Sequence, residues 1–160
     1  MHLVDKKNGF YGSVPIVAGA LSIAMGAAFA LKFKKKKNIA ITYFGDGATE
    51  EGLFHESMIF ASKNKLPILF VVENNEYSSN LHISLRQVKN DFTRFAKANL
   101  IMNDKVNGNN TSDLFAKSKK IISSMRKKNQ PFLIEVRTFR HYGHVDWKED
   151  VDVGLKRSAK

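Results

Sequence analysis

The groups best suited to chemistry lie near the middle of the chain, each at the end of an apolar run. Asp46 stands between Gly45 and Gly47, and Asn75 closes the string Glu73-Asn74-Asn75. A hard divalent cation such as Mg²⁺ takes oxygen ligands, commonly one or two from protein side chains, with phosphates and water completing the shell. Asp46 offers a carboxylate and Asn75 an amide oxygen, and the chain turning after Asn75 can present a backbone carbonyl, that of Tyr77. Gly45 and Gly47 leave backbone N–H groups open to a phosphate beside a helix N-terminus. Together these residue types read as a site for a cation-bound diphosphate. A lone Gly-Asp-Gly is equally an ordinary turn, and Asn-Asn an ordinary loop.

The elements that position the two groups weigh against that plainer reading. An apolar, β-branched run, Asn38-Ile39-Ala40-Ile41-Thr42-Tyr43-Phe44, predicts a strand that stops at Gly45. Residues 52–64 predict a helix with Leu53, Met58, Ile59 and Ala61 on one side. Pro67 opens a second strand, Ile68-Leu69-Phe70-Val71-Val72, which ends at Glu73-Asn74-Asn75. Strand, turn, helix and strand make a βαβ unit. Its right-handed crossover places both strand ends, and so Asp46 and Asn75, on one edge of a parallel sheet.

Gly45-Asp46-Gly47 with Asn74-Asn75 resembles the thiamine-diphosphate-binding motif. The longer string from Phe44 to Ser57, with Leu66-Pro67 and Val72-Glu73-Asn74-Asn75-Glu76-Tyr77, is similar to the alpha subunit of 2-oxo acid dehydrogenases of the pyruvate, branched-chain and acetoin type. That resemblance covers nearly the whole chain. It implies a thiamine-diphosphate-binding α/β fold, a mostly parallel sheet with helices on both faces, in a single partial domain over residues 1–160. It implies thiamine diphosphate and Mg²⁺ as cofactors, with Asp46, Asn75 and Tyr77 at the metal and Gly45, Gly47 and Ala48 around the diphosphate. Val17 matches a position whose backbone meets the aminopyrimidine, although Pro15 stands where many relatives have glycine. Thr138-Phe139-Arg140-His141-Tyr142-Gly143-His144 matches a segment whose last histidine lies beside the thiazolium; His144 therefore carries over, and His2 is a weaker second histidine.

The same resemblance implies decarboxylation of a 2-oxo acid by an assembly, a heterotetramer, in which a beta-type subunit supplies the activating glutamate. None of Glu50, Glu51, Glu56 or Glu73 takes that role, and the chain alone is expected to be inactive. A lipoyl acyltransferase is a further expected partner. A transketolase-like or decarboxylase half-enzyme, or a truncated non-catalytic paralogue, are the alternatives. Relatives carry a substantial segment before the equivalent of Met1 and further helices after Lys160, so the chain reads as a fragment or a short form.

Composition bounds the remaining classes. A length of 160 residues suits one domain with a sizeable core, and 43% hydrophobic residues fit a globular one. The lack of cysteine removes disulfides and thiolate sites and suits a reducing cytoplasm. A formal charge of +11 raises nucleic-acid binding. The lysines, however, fall in blocks at 34–37, 117–120 and 126–128, which predict solvated helix faces and ends, with no nucleic acid involved.

Residues 14–31 carry no charge, which raises a membrane span or a signal peptide. Pro15, Gly19, Gly26 and the many alanines favour instead a small-residue helix in the core or at a subunit contact. Residues 78–84 read as a loop, and Asp91 as the cap of a helix over Phe92, Phe95, Ala96 and Ala98. A short strand near Lys105-Val106 leads through the turn Asn107-Gly108-Asn109-Asn110 into an amphipathic helix over 111–128. Its inward set is Leu114, Phe115, Ile121, Ile122 and Met125. A last strand, Phe132 to Phe139, delivers Arg140-His141-Tyr142-Gly143-His144 to the same sheet edge; read without the resemblance, that histidine pair is a plain polar loop.

Overall fold

The structure, a computed structural model, describes residues 3–145. His2 lies outside the described residues. Four strands form the central sheet: β1 (Ala40–Gly45), β2 (Ile68–Asn74), β5 (Met102–Asn107) and β6 (Phe132–Arg137), in the spatial order β1-β2-β6-β5. Every neighbouring pair is parallel. In the register Gly45 pairs with Glu73, and Asn74 with Arg137. The chain therefore leaves β1, β2 and β6 on one edge, as a βαβ reading requires.

Helices cover both faces. On one side α1 (Gly19–Phe33), α2 (Gly52–Lys63) and α3 (Thr93–Ala98) bury Leu21, Phe54, Met58, Phe92 and Ala96 against Phe44, Phe70, Val72 and Leu133. On the other, α4 (Thr111–Lys128) lays Ile121 and Met125 on Leu69, Val71, Ile134 and Val136. Residues 68–72 of β2 are buried throughout, as a central parallel strand requires. Each large apolar side chain enclosed in this way contributes roughly 1.5–3 kcal/mol.

Several expectations need correction. The uncharged stretch 14–31 becomes helical only at Gly19, because Ala18 is left-handed (φ 62°) and cannot extend the α-helix backwards. Within the chain α1 buries one face through Leu21 and Ala28, while Ile23, Phe29 and Phe33 are exposed. No helix among the described residues is long and apolar enough to cross a membrane. The buried stripe of α2 is Phe54, Ser57, Met58 and Ala61, the i, i+3, i+4, i+7 set, and this turns Ile59 out to solvent. In α4, Phe115 is 69% exposed. Phe115 lies about 100° round the helix from the buried Ile121 and Met125, on the flank of the stripe. Residues 77–82 hold a small hairpin, β3 (Tyr77–Ser78) with β4 (Leu81–His82), inside the stretch read as a loop.

The N-cap position of α3 is Phe92, not Asp91. Asp91 braces the helix start from one residue earlier: its Oδ1 accepts the Thr93 N–H at 3.1 Å and the Thr93 hydroxyl at 2.6 Å, and lies 2.8 Å from Lys105 Nζ. Lys105 and Thr93 hold its carboxyl far below the usual carboxylate range. A carboxyl depressed by folding contributes stability that is complete above its unfolded value, about 3.9, and is lost as pH falls below it. Asp91→Asn is therefore expected to lower stability at pH 7 by about 1 kcal/mol and to make acid unfolding less steep below pH ~4. Urea unfolding at a series of pH values checks this; parallel pH profiles for the two proteins would contradict it.

Candidate functional site

Where β1 ends, the backbone drops into a single 3-10 turn, Asp46–Glu50, before α2 begins at Gly52. The Thr49 hydroxyl closes the turn by donating to the Asp46 carbonyl at 2.7 Å. The first N–H groups of such a turn have no partner within it. The turn itself, with Gly47 and Ala48, thus supplies the donors expected of the helix start. Asp46, Ala48 and Thr49 are all buried. Gly47 lies directly under the hairpin: a Cβ there would stand 2.3 Å from Ser78 Oγ and 2.8 Å from Ser78 Cβ. Any side chain at this position pushes the hairpin away.

The two asparagines divide their labour. Asn74 faces inward and is 2% exposed. Its Nδ2 donates to Glu135 Oε1 at 3.0 Å and Asn90 Oδ1 at 2.7 Å, while its Oδ1 accepts the Glu76 N–H at 3.2 Å. Asn75 takes the turn after it, its Oδ1 accepting the Tyr77 N–H at 3.0 Å. That oxygen keeps a second lone pair for a cation. Glu135, fully buried in the middle of β6, anchors the arrangement by also accepting the Phe92 N–H at 3.0 Å.

Asp46 is the most revealing residue. Its side chain is 1% exposed, and its Oδ1 is buried with no hydrogen-bond partner. Its Oδ2 is ion-paired with the guanidinium of Arg86, which also pairs with Glu50 and is itself 6% exposed. Arg86 Nε donates to the Leu81 carbonyl at 3.1 Å, tying the hairpin to the turn. Leaving a carboxylate oxygen both buried and unpaired is costly. A buried carboxylate with one unpaired oxygen, at a strand end next to the one that leads into Asn75, offers oxygen donors of the kind a hard cation takes. The residues present therefore fit Mg²⁺. No group of three or more His, Cys, Asp or Glu side chains that could hold a metal ion occurs among the described residues.

Of the remaining predicted residues Tyr77 stands at this edge, while Val17 and His144 are exposed. Tyr77 opens the hairpin, with the His82 ring at 5.0 Å and the Arg140 guanidinium 5.9 Å from its ring centre. Arg140 also donates to the Ser79 carbonyl at 2.8 Å, which ties the chain just after β6 to the hairpin. His144 itself is exposed. Lys32, near the end of α1, donates to the Asn64 carbonyl just before β2. The C-terminal end of α1 thus sits at the opening edge of the strands. Val17 lies two residues before α1 and is exposed. Sequence reasoning missed Arg86 and Ser78. Neither carries a local signal, since each acts through a neighbour distant in sequence.

Gly47→Ala is expected to weaken binding of a diphosphate ligand about tenfold, because the hairpin must shift to admit the methyl group. Ser78→Gly in the same chain removes the obstructing Cβ and is expected to restore part of the loss. Isothermal titration of both proteins checks the pair; unchanged affinity in Gly47→Ala would contradict the close approach.

Comparison with known proteins agrees with this architecture. The family profile of the dehydrogenase E1 component matches residues 1–152. The chain is 33% identical over 144 residues to the pyruvate dehydrogenase E1 component subunit alpha of Rickettsia typhi, covering 90% of this chain and 44% of that protein. It is also 33% identical over 146 residues to the alpha subunit of acetoin:2,6-dichlorophenolindophenol oxidoreductase of Bacillus subtilis, covering 91% of this chain and again 44% of the relative. The chain thus spans less than half the length of these curated relatives. Among solved structures, benzoylformate decarboxylase from Polynucleobacter necessarius superposes with a TM-score of 0.60 at 17% identity, over 81% of this chain and 25% of that one. A Mycobacterium smegmatis protein assigned as thiamin diphosphate-dependent gives 0.62 at 21%, over 82% and 24%. At such identities the likeness is one of fold.

Proposed function

The chain belongs to the dehydrogenase E1 component family, and we propose that it holds thiamine diphosphate through Mg²⁺ as the alpha-type part of an enzyme that decarboxylates a 2-oxo acid. The observation that supports this most is the buried, unpartnered Asp46 Oδ1 beside Asn75 on the edge where three parallel strands end. In this reading Asp46, Asn75 and the Tyr77 carbonyl hold the metal, and the turn N–H groups at Gly47 and Ala48 receive the diphosphate. The backbone at Val17 meets the aminopyrimidine. His144 donates a hydrogen bond or proton to charge developing beside the thiazolium. Bound thiamine diphosphate supplies the electron sink for loss of CO₂.

No carboxylate of this turn is assigned to activate the cofactor. Glu50 is engaged by Arg86 and by Gln87 Nε2 at 2.8 Å, and Glu135 is enclosed. The activating glutamate is assigned instead to a beta-type subunit. Exposed Ile16, Val17, Ile23 and Phe29 on and before α1 offer an apolar surface for such a contact. Co-purification with a beta-type partner, lost when Ile23 and Phe29 are both changed to glutamate, tests the assembly.

The cofactor assignment is tested by calorimetric titration of thiamine diphosphate into the full-length protein with and without Mg²⁺. Saturable binding that requires the metal is expected. Absence of binding by folded, partnered protein would overturn the reading.

A further inference from the structure

Arg86 is the one buried cation that touches the proposed metal ligand among the described ion pairs, and its placement has a chemical consequence. The guanidinium on Oδ2 places a positive charge next to Oδ1, the oxygen left for a metal, and repels a cation arriving there. Arg86 therefore neutralises Asp46 from within the protein, as a divalent cation would from outside. Its second partner, Glu50, is more open, with a side chain 34% exposed. Its Nε contact to the Leu81 carbonyl keeps the side chain anchored at the rim. A guanidinium released from Asp46 thus stays beside the turn with the half-open Glu50 as its remaining carboxylate, and gains from a further anionic partner. A free metal ion brings no such partner; a metal–diphosphate complex does.

We propose that Arg86 acts as a resident cation that makes this site selective for the metal–diphosphate complex over the free metal. The inference rests on Asp46 being the metal ligand proposed above. The metal and the diphosphate become coupled ligands through Arg86, because the metal displaces the guanidinium and the diphosphate receives it. Coupling of this kind is reciprocal, so each ligand raises the affinity of the other by the same factor. Arg86 is here a specificity-determining residue and takes no part in bond making.

The test is titration of Mn²⁺ alone into the full-length protein, read by the electron paramagnetic resonance signal of the free ion, then repeated with saturating thiamine diphosphate. Wild type, Arg86→Gln and Arg86→Lys are compared. Arg86→Gln removes the competing charge, so Mn²⁺ alone is expected to bind about tenfold tighter than to wild type. The gain in metal affinity produced by thiamine diphosphate is expected to shrink by a similar factor. Arg86→Lys keeps a cation and is expected to stay near wild type. A purely structural tether predicts the opposite sign, equal or weaker metal binding in Arg86→Gln as the hairpin loosens.

Equal or weaker Mn²⁺ binding by Arg86→Gln, or no saturable uptake of Mn²⁺ alone by any of the three proteins, overturns the proposal. If wild type still binds thiamine diphosphate with Mg²⁺ in those cases, only the role of Arg86 fails. If it does not, the cofactor assignment fails with it.

Discussion

Asp46→Asn is expected to weaken metal-dependent thiamine diphosphate binding by at least about 100-fold while the protein still folds. Changes to groups that merely orient metal ligands already cost 10–100-fold, so loss of the one charged ligand belongs at or beyond that range. Asparagine keeps the size and one oxygen of the side chain but removes the charge that a hard cation requires. The variant also tests the rival account, in which Asp46 and Arg86 form only a structural ion pair. On that account the main effect is on stability, since Arg86 is left buried with Glu50 as its remaining carboxylate. Calorimetry and thermal unfolding on the same protein separate the two. Intact cofactor binding with a lowered melting temperature would contradict the metal-ligand role.

The second large effect concerns the scaffold. Glu135→Leu is expected to destabilise the fold by about 3 kcal/mol, a fall in melting temperature of roughly 6–12 °C for a chain of this size. Replacing a buried ion by a hydrophobic residue is often neutral when its partners are replaced too. Here they are not. The Phe92 N–H belongs to the backbone and would be left buried without its acceptor, and Asn74 would keep only Asn90 for its amide donors. Because Asn74 leads directly into Asn75, the same change is expected to reduce cofactor affinity. Glu135→Gln keeps the shape and one oxygen, and a loss of about 1 kcal/mol is expected. Urea unfolding of both variants checks the order; a Leu variant as stable as wild type would show that this network carries no net stability.

What could be read from the sequence follows from where the determining interactions lie. The strands at Ala40–Gly45 and Ile68–Asn74 and the helix between them announce themselves by period and by their bounding glycine and proline. Once they are parallel neighbours, Asp46 and Asn75 have to share an edge. The helix at Thr111–Lys128 was equally legible, with Asn110 accepting the Asp113 N–H at its start and a left-handed Asn129 at its end. Sidedness was less so. Phe115 and Ile59 are apolar and correctly helical, yet what packs beside the helix decides which flank is buried, and sequence period does not carry that.

The start of α1 depended on a left-handed Ala18, which no composition signal marks. Arg86 was invisible for a different reason: its partner is Asp46, 40 residues away, and it sits in a loop among other polar residues. Likewise the roles of Asn74 and Asn75 look alike in sequence, and only Glu135, 61 residues from Asn74, shows which one is structural.

The most direct measurement is a crystal structure grown with thiamine diphosphate and Mn²⁺ in place of Mg²⁺, with the metal located by anomalous scattering. The account predicts a peak within bonding distance of Asp46 Oδ1 and the Asn75 side-chain oxygen, with the Arg86 guanidinium no longer on Asp46. A peak elsewhere with the Asp46–Arg86 pair intact, or ordered cofactor with no metal at Asp46, would contradict it.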